Sequence, residues 1–347
     1  FGIGTGVAIS FFVRRAGTRK RKAAIKYFST RAGESAEEKL GYLSHAALEK
    51  IEFLTIEPSK TNNWIDQSTE SWDEHLLIAD KSKRAGGVSR AIFQLSSLGV
   101  ATNRDEWVYS YNKEDLKCKV DYFVETFISE RKRWLKANRP ETADFVDRKI
   151  KWTSELEAHL KRGTSIELSK ASFRRAAYRP FTVKATVYAK VLTHRTYRQS
   201  SIFPLDRTEG NHLISFTDPT GQKPFLSLAT DSLPDLHLVG SGAGAMCLPR
   251  YRYIVEGEKI DNITDWALNK FTAHYGKAAK ITKDDIFAYV YAVLHDPIYR
   301  ETYAINLKRE FPRIPFYPTF KTWRDWGQAL LDLHIGYESV TPLKLKR

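Results

Sequence analysis

The sequence predicts an α+β protein, and three observations point there. Helical periodicity and strand alternation occupy separate stretches of chain rather than repeating as βαβ units. Capped segments with apolar faces fill 113–177 and 263–338. Between them, 178–262 breaks into short apolar runs divided by turn sequences such as "DPTGQKP", "DSLPD" and "GSGAG".

The chain opens "FGIGTGVAISFFVRR". Gly2 to Gly6 read as a turn, and Val7 to Val13 as a strand apolar on both faces. "AAIKYFST" reads as its hairpin partner, with Arg14, Arg15, Arg19, Lys20, Arg21 and Lys22 at the tip. Ser35 and Glu38 have the spacing of a capping box. The helix they open carries Leu40, Leu43, Ala47, Leu48 and Ile51 on one face. "EFLTIEP" is a short strand stopped by Pro58. A hairpin is not a domain by itself, so 1–62 reads as the end of a larger α/β sheet and 63–347 as a second domain.

Residues 59–112 are loop-rich. Asn112 is placed to cap a helix from about Glu114 to Leu135, with Leu116, Val120, Phe123, Val124, Phe127 and Ile128 as its core stripe. "WTSELEAHLKRG" gives a second helix ending at Gly163, and "LSKASFRRAAY" a third. Val183, Ala185, Val187, Ala189 and Val191 then alternate as a strand does. Strand-like runs follow at "NHLISFT", "PFLSLAT", "LHLVG" and "MCLPRYRYIV". The last part is helical again. "TKDDIFAYVYAVLH" has Thr282 as N-cap and Asp285 at N3, Pro297 opens "DPIYRETYAINLKREF", and "WRDWGQALLDLHIGYE" closes the series.

Composition narrows the function. At 347 residues, with 42% hydrophobic and 13% aromatic content, the chain can fold around a sizeable core. No apolar run approaches the roughly 18 residues of a membrane span. Two cysteines, Cys118 and Cys247, make no disulfide framework and suit a cytoplasmic protein. The nine histidines fall in no HExxH or CxxC-type pattern, so no metal site is expected. A net charge of +14 points to a polyanionic partner, or to a protein that is basic for no reason of binding.

Motifs for chemistry are missing. "GIGTGV" lacks the GxGxxG spacing, and a strand rather than a helix follows it. "GSGAG" lacks the GK[ST] of a phosphate loop. No GxSxG elbow and no NPPY-type tetrapeptide occurs, so no catalytic or cofactor-binding residue is expected within the chain. Instead, basic and aromatic residues interleave in "SFRRAAYRPF", "KVLTHRTYRQSSIFP" and "LPRYRYIV". Guanidinium groups grip phosphates and read guanine edges, and aromatic rings stack on bases. Taken singly, Tyr178, Phe181, Tyr188 and Tyr197 read equally well as core residues with arginines lying over them. Their concentration on one basic module favours nucleic acid.

The last third becomes specific. "DDIFAYVYAVLHDPIYRETYAINLKREFPRIPF" and "GQALLDLHIGYE" resemble type ISP restriction–modification enzymes. "GVATNRDEWVY", "IKWTSELEAHLKRG", "YRPF" and "RQSSIFP" sit earlier in the order that family has, so the resemblance spans roughly 75 to 338. Such enzymes join a nuclease, a helicase-like ATPase, an adenine methyltransferase and a C-terminal target-recognition domain in one chain. The opening residues resemble the last hairpin of the methyltransferase domain. The resemblance implies a C-terminal part of an adenine-N6 methyltransferase whose catalytic tetrapeptide and S-adenosylmethionine loop lie upstream. Phe1 in place of a methionine, with Met246 the only one, agrees. S-adenosylmethionine, with ATP and Mg where the parent carries the ATPase and nuclease, is then expected in the parent enzyme and no cofactor in this fragment. The expected partners are double-stranded DNA and the upstream methyltransferase domain, with no membrane. From residue type and position, the candidate DNA contacts are Arg104, Arg179, Arg195, Arg198 and Arg252, with Tyr197 and Lys223 beside them. Two other functions stay open: a module docking other domains of the parent, and a stand-alone nuclease, for which no metal-binding carboxylate set is visible.

Overall fold

The computed structural model describes residues 8–14, 23–30, 34–58, 64–65, 70–80, 90–147, 149–206, 210–219, 223–254 and 257–344. The fold is α+β, and the chain divides into two units after Gln67.

The first unit holds β1 (Ile25–Tyr27), α1 (Ala36–His45) and β2 (Leu54–Ile56). Ser35 caps α1 in a full capping box with Glu38, as the sequence predicts. The expected hairpin is not formed. Residues 8–14 have no strand partner, and β1 pairs antiparallel with β2 instead, Ile25 facing Ile56. The Gly2 to Gly6 turn and the basic tip from Arg15 to Lys22 lie outside the described residues. No described residue of this unit is buried, and Phe11, Phe12, Leu40, Leu48 and Leu54 all face solvent, Phe12 at 86%. A β-ribbon and one helix have too little surface to bury their own apolar side chains.

The second unit begins with β3 (Leu76–Leu77), β4 (Ser97–Leu98), the single turn α2 (Asp105–Val108) and β5 (Tyr109–Ser110). Three helices follow: α3 (Lys113–Lys136), α4 (Thr142–Phe145) and α5 (Ser154–Arg162). Their ends are set locally. The Asn112 side chain accepts from the amides of Glu114 and Asp115, that of Thr153 accepts from Leu156, and Gly163 ends α5 in the left-handed region. Strands then run β6 (Phe173–Arg179), β7 (Thr182–Val187), β8 (Leu213–Thr217), β9 (Ser227–Thr230), β10 (Leu233–Pro234), β11 (Ala245–Pro249), β12 (Tyr251–Tyr253) and β13 (Lys259–Asp261). The chain finishes with α6 (Asp265–Tyr275), α7 (Lys283–Val293), α8 (Pro297–Thr302), α9 (Ala304–Leu307), β14 (Arg313–Ile314) and α10 (Phe320–Ile335).

Two four-stranded sheets organise these elements, in the orders β10-β6-β7-β5 and β4-β11-β8-β9. The second sheet is antiparallel and covered on both faces. Ile214, Phe216, Met246 and Leu248 point into a core shared with α6, α7 and α10. Leu213, Ala245 and Cys247, at alternate positions, join a second core with α3, α5, β6 and β7. Double coverage explains why every residue of β8, β9 and β11 is buried. Among the described residues no helix is long and apolar enough to cross a membrane.

Three expectations are corrected here. "LSKASFRRAAY" is not a helix: its second half is β6, paired with β7 on one side and with β10 on the other. Backbone pairing on both edges outweighs the weak helical preference of its Ala and Arg residues. "LHLVG" is a turn, and the strand lies just before it at β10. "DPIYRETYAINLKREF" bends into α8 and α9 at Tyr303.

The tightest helix contact is between α7 and α10. A Cβ added at Gly327 would run into the carbonyl of Ala288, so the crossing tolerates only glycine there. Gly327→Ala is expected to cost about 1–3 kcal/mol through overpacking, read as a lower thermal midpoint.

Candidate nucleic-acid interface

The seven candidate contacts separate into two groups once their surroundings are known. Arg104 and Arg179 are committed to the fold. Arg104 is 0% exposed: it donates to the Val191 carbonyl at 3.2 Å and to Thr153 Oγ1 at 2.6 Å, and its guanidinium lies 5.4 Å from the Phe123 ring centre. It therefore ties the start of α5 to the turn after β7. Desolvation lowers its pKa to about 10. This side chain is out of reach of a duplex in this conformation, which corrects the sequence reading.

Arg179 is half-buried at the end of β6. It donates to Asp235 at 2.7 Å, sits 3.7 Å from Asp105 and stacks 3.9 Å from the Tyr178 ring centre. Asp235 needs it. That carboxylate is 2% exposed, and burial raises its pKa. The Tyr109 hydroxyl donates to it at 3.1 Å and the His237 amide at 2.8 Å, and Arg179 supplies the countercharge.

The remaining candidates are exposed or half-buried. Arg195 is exposed, and its backbone exchanges two 2.9 Å hydrogen bonds with Ala101. Tyr197 is 39% exposed with a φ of 47°. The Arg198 amide donates to Ser97 Oγ at 3.1 Å. Gln199, fully buried, donates to the Leu98 carbonyl at 2.9 Å. The loop from Arg195 to Gln199 is thus pinned along Ser97–Ala101. Arg252 comes from β12 and is half-buried, with its Nε hidden from solvent and without a hydrogen-bond partner. Its pKa is lowered by burial first and by the charge of Arg198 second. β12 packs near the turn Gln199–Ser201, so the charge of Arg198 reaches Arg252, and among the described residues neither makes a salt bridge to a carboxylate. Lys223 is exposed beside the turn at Gly242.

The sequence reading missed the residues that hold this loop, Ser97 and Gln199. It also missed a cavity of about 550 Å³ at the start of α3, where Lys113, Lys117, Arg174 and Arg175 line it together with Glu114 and Asp231. Only their spread over distant stretches concealed it. Among the described residues no group of three or more His, Cys, Asp or Glu is placed to hold a metal ion.

The model of the Type ISP C-terminal specificity domain matches residues 91–347. The chain belongs to this family. Its fold is similar to that of DrdV in a cryo-EM DrdV–DNA complex, with a TM-score of 0.80 and 41% identity over 94% of this chain and 32% of that one. It is also similar to a nuclease-deletion mutant of the Type ISP restriction–modification enzyme LlaGI, determined with a DNA substrate mimic. There the TM-score is 0.70 and the identity 29%, covering 87% of this chain and 27% of that one. The ATP-dependent Type ISP enzyme LlaBIII, bound to DNA, gives 0.70 and 27%, covering 88% and 19%. This chain spans a third or less of the length of these relatives. No curated protein sequence matches it.

Within this specificity domain, the two groups of arginines should behave oppositely on truncation. Arg104→Ala is expected to lower stability by about 2–4 kcal/mol, because it leaves buried acceptors unpaired and empties a packed site. Arg195→Ala should stay within about 0.5 kcal/mol of the parent, as exposed substitutions do. Thermal unfolding of the two variants checks this.

Proposed function

We propose that this chain selects the DNA site for a restriction–modification enzyme, gripping duplex DNA with the Arg195–Arg198 loop and Arg252. The observation that carries the reading is the Arg198–Arg252 pair. Arg252 is partly desolvated, feels the like charge of Arg198, and has an Nε without a hydrogen-bond partner, all unfavourable in the free protein. An anion bound near them offsets the like-charge repulsion, and guanidinium forks match phosphate and guanine edges. Membership of the specificity-domain family, the DNA-bound relatives and the net charge of +14 support the same reading.

On this reading the chain works by division of labour. Phosphate contacts fix the register of the duplex and base contacts choose the sequence. An adenine then leaves the stack to be methylated at N6 by the methyltransferase domain of the parent. S-adenosylmethionine serves that domain, and ATP and Mg serve a fused ATPase and nuclease. The protein works in the cytoplasm, where Cys118 and Cys247 stay reduced. A docking role is favoured for the first unit alone, because its uncovered Phe11, Phe12, Leu40 and Leu54 suit a larger sheet of the parent.

Binding of the chain to a duplex over a salt series tests the proposal. Affinity is expected to fall steeply with salt as counterions are released. Replacing Arg198 and Arg252 by Ala should lower the slope of log K against log salt by about one to two, the share of the lost phosphate contacts. Affinity that is flat with salt contradicts the reading.

A further inference from the structure

We infer that Tyr197 is a base-stacking residue that enters a locally opened duplex, a role that rests on the DNA reading above and adds a positioning residue to it. The starting point is its backbone. Among the described residues seven non-glycine positions have positive φ, including Asn103 and Asn138, whose side chains tolerate that region. Lys280 ends a short helical turn. Phe181 and Tyr197 are the bulky aromatic cases, for which the left-handed region is unfavourable.

Phe181 has a packing reason. It takes the φ > 0 corner of the two-residue β6–β7 turn after Pro180, and its ring stands edge-on to His334 at 5.5 Å and to Tyr337 at 5.3 Å. Tyr197 has no counterpart among the described residues. Its ring makes no aromatic contact and its hydroxyl no hydrogen bond, and 39% of the residue is exposed. Yet the turn is fixed on both sides. Arg195 is bonded to Ala101, the Arg198 amide to Ser97, the Gln199 amide to the Thr196 carbonyl and the buried Gln199 side chain to Leu98. A turn with an unfavourable φ, hydrogen-bonded on both sides, thus carries a part-exposed aromatic residue in a stretch that also holds Arg195 and Arg198.

Strain of this kind survives where the surroundings impose it and function uses the result. The chemistry of the place selects the ligand. Arg195 and Arg198 flank Tyr197 in the sequence and offer guanidinium groups to phosphates, and an exposed aromatic ring offers a stacking face to a π-system. A nucleobase supplies that π-system, and an intact duplex hides it. Stacking therefore requires one base step to open, which is easiest where pairing is weak. Because the turn is already rigid, the ring loses little freedom on binding.

The test uses the full chain, Tyr197→Gly and Tyr197→Phe, with a short duplex in matched form and the same duplex with one central mismatch. The wild-type chain is expected to prefer the mismatched duplex. Tyr197→Gly, which relieves the strain, should keep or raise the unfolding temperature. It should nevertheless lose the mismatch preference and bind the mismatched duplex about tenfold more weakly, as loss of one base–aromatic stack does. Tyr197→Phe should retain both. Equal wild-type affinity for the two duplexes overturns this inference and leaves the DNA reading standing, as does unchanged binding by Tyr197→Gly. A lowered unfolding temperature in Tyr197→Gly overturns it too, since the ring would then be packing the fold. Failure of the wild-type chain to bind either duplex overturns the DNA reading and the inference together.

Discussion

The short extended segment from Ser97 to Ala101 is the constraint on which the rest of the second unit depends. Ser97 and Leu98 pair with Cys247 and Met246 at the edge of the doubly covered sheet. Gly99 lies against the backbone of Asp235 so closely that a Cβ would clash with its carbonyl. Val100 exchanges backbone hydrogen bonds of 2.8 Å with Pro234 and Leu236, and so reaches the other sheet through β10. Ala101 then pairs with Arg195. Five residues therefore join two sheets and the exposed basic loop. Their backbone groups, buried between layers, are satisfied only if all three partners are in place.

The same junction decides which arginines are free. Asp235 sits beside the segment as a buried acid, and a buried charge without a partner is costly. Arg179 answers it and is thereby withdrawn from solvent. Arg104, a few residues further along, is used in the same way to hold α5. Among the described residues Arg195 and Lys223 stay exposed, and Arg198 and Arg252, half-buried, make no salt bridge to a carboxylate. A chain with 55 Lys and Arg against 41 Asp and Glu has cations to spare, and the fold determines where the surplus appears.

Sequence reading succeeded where the determinants are local. Ser35, Asn112 and Thr282 each cap the helix they were expected to open, because a cap is written within four residues. It failed where the partner is distant. The stretch "FRRAAYR" is indifferent between helix and strand, and β10, more than 50 residues later, helps to decide it. Ile25–Tyr27 found β2 rather than the preceding residues for the same reason. The site follows the rule too. Interleaved basic and aromatic residues marked Arg195, Tyr197, Arg198 and Arg252 as candidate DNA contacts, and the fold leaves Arg195 and Tyr197 exposed and Arg198 and Arg252 half-buried. Nothing in "NRDEW" or "YRPF" could show that Arg104 would be desolvated or that Arg179 would face Asp235. The left-handed turn at Tyr197 was equally invisible, since it is imposed by Ser97 and Ala101 about a hundred residues away.

A preformed basic loop, held from behind and ready for DNA before DNA arrives, is the centre of this account. Amide hydrogen exchange of the chain with and without duplex measures it directly. The amides of Ala101, Arg195 and Arg198 should exchange slowly in the free protein, as those of β8 and β11 do, and added duplex should slow exchange further in the peptides around Arg195–Gln199 and Tyr251–Tyr253. Fast exchange at these amides in the free protein, or protection by duplex confined to other parts of the chain, would contradict it.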